Sequence, residues 1–108
     1  MESNRRRAER HASDLPGRLR LAGERSVAVR IRNIGLLGAL CEIHDLEEPV
    51  LEGERAVLTH PGLVDDRPGP EDGPRVETAG AIVRVELELL PEGIVRHVAI
   101  HFDGGAAP

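Results

Sequence analysis

Ile82-Val83-Arg84-Val85-Glu86-Leu87-Glu88-Leu89-Leu90-Pro91-Glu92-Gly93 is the most regular stretch of the chain. Over residues 82–89, Val83, Val85, Leu87 and Leu89 alternate with Ile82, Arg84, Glu86 and Glu88, the pattern of a strand with one face turned to a core. Pro91-Glu92-Gly93 then turns the chain, and Val98, Ile100 and Phe102 alternate with His97, Ala99 and His101. Two such runs joined by a short turn predict an antiparallel hairpin in which Phe102 faces the core and His101 does not.

Working outward, the same pattern recurs. Arg18-Leu19-Arg20-Leu21 follows the turn signal Leu15-Pro16-Gly17, and Ala22 to Arg25 turns it into Val27-Ala28-Val29-Arg30-Ile31-Arg32. Asn33 to Gly38 interrupts the alternation before Ala39 to Ile43, and Pro49 to Gly53 precedes Ala56-Val57-Leu58-Thr59. Asp65 to Arg75 packs three prolines and two glycines into eleven residues and reads as a solvated, mobile loop. Nowhere does a helical period persist. Six short strands between turns predict an all-β fold, an antiparallel barrel or sandwich.

A length of 108 residues suits one domain with one core. We expect a flexible arginine-rich segment over 1–14, the β-domain over 15–103 and a small polar tail over 104–108. Cys41, the sole cysteine, cannot form an internal disulfide and reads as a small core residue. The charged amino end has no apolar run behind it, and the longest uncharged apolar run, Ile34 to Cys41, is too short for a bilayer. The expectation is a cytoplasmic protein without membrane insertion.

Charge is divided unevenly. From Met1 to Arg32 nine arginines face four acids, for +5, whereas the remainder carries five arginines and fifteen acids, for −10. There is no lysine, so all 14 basic side chains are planar forks that match a phosphate or a guanine edge bidentately. The acidic body opposes duplex-DNA binding. A single aromatic residue, Phe102, opposes base stacking on single strands, so neither DNA nor RNA is the expected partner.

Catalytic and metal readings find little support. His97 and His101 are four apart on one predicted strand, about 13 Å of separation, too far for both to reach one zinc at about 2.1 Å. His11, His44 and His60 lack ligand-like spacing, no serine sits in a nucleophile elbow, and no glycine-rich loop precedes a lysine. We expect no enzyme, no metal and no cofactor.

Two motifs remain. Arg5-Arg6-Arg7-Ala8-Glu9-Arg10 concentrates positive charge at one end, and the four-residue spacing of Arg6 and Arg10 places them on one face in helix or strand alike. Asn33-Ile34-Gly35-Leu36-Leu37-Gly38 follows twenty-three residues after Arg10. Its glycines imply backbone at positive φ or a close approach by another group. Asn33 offers an acceptor and two donors, enough to pair with a purine edge. An ordinary tail and an ordinary bulged turn are the structural alternatives.

In that order, an RxxxR pair and an N-x-G-x-x-G turn on an all-β pattern resemble the PilZ domain, whose signatures are RxxxR and D/N-x-S-x-x-G. The resemblance runs from about Arg5 to Phe102, through the Leu51-Glu52-Gly53-Glu54 turn and the Ala81 to Val85 and Val98 to Phe102 strands. It implies a six-stranded antiparallel β-barrel of split-barrel type, bacterial, that binds cyclic di-GMP (c-di-GMP), often as a stacked pair.

Arg6 and Arg10, with Arg5 or Arg7, would grip guanine edges and phosphates; Asn33 would meet the other guanine, and Gly38 would give room. Gly35 stands where the family has serine, removing one hydroxyl bond. The chain also ends soon after the last strand, where many relatives continue into a helix, leaving a barrel end open for a partner or a second copy. The leading expectation is a receptor that changes conformation on binding the second messenger and signals to an unidentified target protein. Its alternative is a degenerate adaptor that binds no nucleotide.

Overall fold

The computed structural model describes residues 10–44, 47–64, 67–70 and 72–103. Eight strands run in the order β1 (Arg10–Leu21), β2 (Ser26–Gly35), β3 (Gly38–Ile43), β4 (Arg55–His60), β5 (Leu63–Val64), β6 (Arg67–Pro68), β7 (Val76–Leu90) and β8 (Gly93–Phe102). Six close a barrel in the order β1-β2-β3-β8-β7-β4, every neighbouring pair antiparallel. This is the expected barrel. Closure removes sheet edges that would otherwise offer unpaired backbone groups.

Alternation does the packing. Leu19, Ile31, Ile43, Leu58, Ile82, Val98 and Ile100 point inward and are essentially inaccessible to water. Each such side chain contributes about 1.5–3 kcal/mol of apolar burial. Phe102 is buried and His101 exposed, as the strand period requires. Cys41 lies among these residues, and burial pushes its thiol up to about 12. It is a packing residue.

Three local expectations change. Leu15-Pro16-Gly17 is not a turn but the middle of β1, paired with Ile31, Arg30 and Val29. The β1–β4 ladder begins only at Arg18, so the N–H that Pro16 lacks is not needed there. A Cβ on Gly17 would come within 2.8 Å of both Ile31 Cδ1 and the Thr59 carbonyl oxygen, so the strand passes there only as glycine. The ladder also reaches back to Arg10, where β1 begins.

The proline-rich stretch after Val64 is the second change. Leu63 and Val64 pair with Pro68 and Arg67 as a two-stranded sheet outside the barrel. The third is β7, where a bulge between Ile82 and Arg84 shifts the register against β8. Ile82 is therefore core and Val83 55% exposed, the reverse of strict alternation.

Candidate functional site

The β1–β2 register determines what can act together. Arg10 pairs with Gly35, His11 with Ile34 and Ala12 with Asn33. Residues from the two motifs, far apart in sequence, thus meet as neighbours on adjacent strands. Arg10 stands at the entry to β1, beside the exit of β2 into the Leu36-Leu37 turn. Arg5, Arg6 and Arg7 lie outside the described residues.

A bulge shapes the face beside this junction. Between Ala12 and Leu15 of β1, two residues oppose Arg32 alone, and the β2–β3 ladder skips Arg32 between Ile31 and Asn33. Ile31 and Ile34 are both fully buried, so Arg32 and Asn33 occupy consecutive positions between two inward residues. Unbroken alternation would have turned Asn33 into the core. The extra residue holds it at the half-buried outer face, a common use of bulges near binding sites. Among the described residues its Oδ1 is buried and accepts no hydrogen bond. Such an acceptor costs about 1–3 kcal/mol until a donor reaches it.

Sequence reading passed over the charges around the bulge. Asp14 Oδ1 accepts from Arg30 Nε at 3.0 Å and Nη2 at 2.7 Å, and from Arg32 Nη1 at 3.1 Å. The hydrogen bond from Arg30, with the nearby positive charges, holds the Asp14 carboxyl below its ordinary range. Arg32 Nε also lies 3.7 Å from Glu42. Two guanidinium groups are thereby oriented along the outer face of β2 next to Asn33. Their alternation with Val29 and Ile31 was visible; their convergence on Asp14 was not, because it depends on the β1 register.

Of the two expectations raised for the glycines of the turn, positive φ and a close approach, only the second is met, at Gly38. Neither Gly35 nor Gly38 has positive φ. A Cβ on Gly38 would collide with the carbonyl oxygen of Ile100, so the close approach at that residue is made by β8 of the barrel itself. Gly38 thus lets β3 start tight against β8. Leu37 accepts a hydrogen bond from the Phe102 N–H at 2.8 Å, tying the turn to the end of β8. Leu36 stands 53% exposed at its tip.

Beneath the turn, Phe102 stacks on His60 with centroids 6.0 Å apart and planes inclined by 13°. The Gly62 N–H donates to His60 Nδ1 at 3.0 Å, so the ring hydrogen sits on Nε2 and is donated to Thr78 Oγ1 at 2.7 Å. Burial, then the charge of Arg75, lowers the pKa of His60 and keeps the ring neutral. The buried imidazole is a stopper for this barrel end, with both nitrogens satisfied. His97, on the outer side of β8, instead pairs with Glu88 at 2.7 Å.

The arrangement offers planar cations and an unfilled amide acceptor at one barrel end, chemistry suited to phosphates and purine edges. No family model and no curated protein matches the sequence. Among solved structures, it is similar to a PilZ domain of YcgR from Escherichia coli with c-di-GMP: TM-score 0.67 at 15% identity, covering 91% of this chain and 77% of that one. It is similar also to the K. pneumonia MrkH–c-di-GMP complex, with TM-score 0.64, 14% identity and 91% of this chain covered. MrkH in its apo state gives 0.60, 14% and 88%. This chain spans 44% and 41% of the two MrkH chains. Its fold is that of PilZ domains.

Proposed function

We propose that this chain is a c-di-GMP receptor whose ligand is held by the arginine segment and the Asn33 to Gly38 turn. The observation that carries the reading is the register setting Arg10 opposite Gly35 and Ala12 opposite Asn33. Any ligand gripped by Arg10 therefore lies within reach of Asn33. The unfilled Asn33 Oδ1 suits a guanine N–H donor, and Arg6 and Arg10 suit its O6/N7 edge and the phosphates. Arg5 or Arg7 adds a further fork, and Arg32, already oriented by Asp14, joins the same face. Structures of the same fold, YcgR and MrkH, are with c-di-GMP.

On this reading the protein is a cytoplasmic binding module rather than an enzyme. Ligand closes the arginine segment over the turn and presents a new surface to a target protein, the class of switch in which a segment orders around a bound group. Among the described residues no helix is long and apolar enough to cross a membrane.

Isothermal titration with c-di-GMP tests the reading. Binding should be in the micromolar range or tighter, and the Arg6→Ala/Arg10→Ala double variant should lose at least about 100-fold, since hydrogen bonds to charged groups are worth about 1.5–3 kcal/mol each. Unchanged affinity would remove the arginines from the site. Gly35 favours the second reading, an adaptor that has lost the nucleotide. If the parent binds, Gly35→Ser should tighten it about three- to tenfold by one neutral hydrogen bond. If neither form gives heat, the adaptor reading stands.

A further inference from the structure

The end of the barrel remote from Arg10 and Asn33 is not closed in the same way. β4 pairs with β7 only as far as Arg55 and Ala81, while β7 continues to Leu90 and pairs there with β8 alone among the described residues. The loop before β4 covers the next positions: Ile82 exchanges hydrogen bonds with Gly53 and Glu54, and the Val85 N–H donates to Glu52 Oε2 at 3.1 Å. Among the described residues this cover ends at Val85. The hairpin overruns the barrel.

In an antiparallel ladder alternate residues turn N–H and C=O away from the partner strand. Val85 does so toward Glu52, and by the same alternation Leu87 and Leu89 turn theirs to the open side. Their side chains share a face with Ile94, which pairs with Leu89. Leu87 is 66% and Leu89 78% exposed, a continuation of the core face past the last layer of core. The opposite face carries Glu86 and Glu88, with Glu92 in the turn. An open edge with exposed apolar side chains is the feature that strand addition uses.

Charge selects the occupant. A second copy pairing antiparallel through this edge, in either register that keeps both Leu87 and Leu89 in the ladder, sets Glu88 against Glu86 or against Glu88 of the other copy. Like charges directly opposite are destabilising. A strand with basic residues at those positions is favoured by the same carboxylates.

We propose that the β7 edge over Glu86 to Leu90 is a docking site for an extended segment of a partner protein in which apolar residues alternate with arginine or lysine. The segment adds as a strand, its apolar residues beside Leu87 and Leu89 and its cations beside Glu86 and Glu88. The site lies at the barrel end opposite the Asn33 turn and does not depend on the nucleotide reading.

The test uses the full chain and a fluorescein-labelled octapeptide of alternating valine and arginine, read by fluorescence polarisation. A peptide of the same composition with its arginines in one block controls for charge alone. Leu89→Pro removes an outward N–H without breaking a bond to β8. It should weaken the alternating peptide by about tenfold or more, and the blocked peptide should bind the parent comparably poorly. Equal binding by parent and Leu89→Pro, equal binding of the two peptides, or no binding of the alternating one overturns the proposal. So does a parent dimer in sedimentation that Leu89→Pro dissolves, which would assign the edge to a second copy. Should that variant fail to fold, amide shifts in the unmodified protein decide: Leu87 and Leu89 move on titration, or the idea is wrong.

Discussion

The two ends of the barrel use apolar side chains in opposite ways. At the Asn33 end, Phe102 is buried against His60, the Leu37 carbonyl is tied to β8, two arginines are held by Asp14, and among the described residues the Asn33 amide oxygen is a buried acceptor without a donor. At the hairpin end, Leu87 and Leu89 stand in water on a strand that has outrun β4. The first end is packed shut and polar outside. The second leaves two leucines of β7 exposed. The difference follows from strand length: β7 runs on past Arg55, where its pairing with β4 ends, so Leu87 and Leu89 have no β4 layer facing them.

Substitution of Phe102 should have the largest effect on stability. Phe102→Ala removes the ring that stacks on His60 and leaves a cavity, and should cost about 3–5 kcal/mol by chemical denaturation. A loss under about 1 kcal/mol would mean that this end is not sealed by packing. An intermediate effect is expected from pH. His60 is neutral when folded, with its pKa lowered by burial and then by Arg75, while the unfolded chain takes up a proton near 6.5. The unfolded state therefore binds more protons in acid, so the His60 contribution is complete above 6.5 and is lost as pH falls through the lower folded value. The melting temperature of the parent should drop over that window more than that of His60→Gln. Parallel curves would locate the acid sensitivity elsewhere.

Leu87→Ala should do least, within about 0.5 kcal/mol of the parent, because a largely exposed side chain has little burial to lose. A larger loss would show that something already covers the hairpin edge and would erase the contrast between the ends.

Much of this architecture was legible because it is written in period two. The alternation over residues 97–102 assigned Phe102 and His101 to the correct faces, and that of Val27 to Ile31 placed β2. Where the structure departs, a long-range approach overrides a local signal. Leu15-Pro16-Gly17 has turn chemistry, yet Pro16 sits where no β4 partner needs its N–H, and Gly17 sits where Ile31 and Thr59 leave no room for a side chain. The bulge at Arg32 carries no compositional mark. It exists only in the pairing of Ala12 with Asn33 and of Leu15 with Ile31.

By itself the sequence determined the strand periodicity, the uneven division of charge, and the pair of motifs at Arg6 to Arg10 and Asn33 to Gly38. These depend on residue type and spacing, which local sterics and hydrophobic burial read directly. Only the tertiary structure decided that Arg10 lies opposite Gly35, that Asn33 is kept out of the core, and that β7 runs on past β4. Register and strand-length mismatch are properties of pairs of strands, settled when the barrel closes, and no single segment carries them.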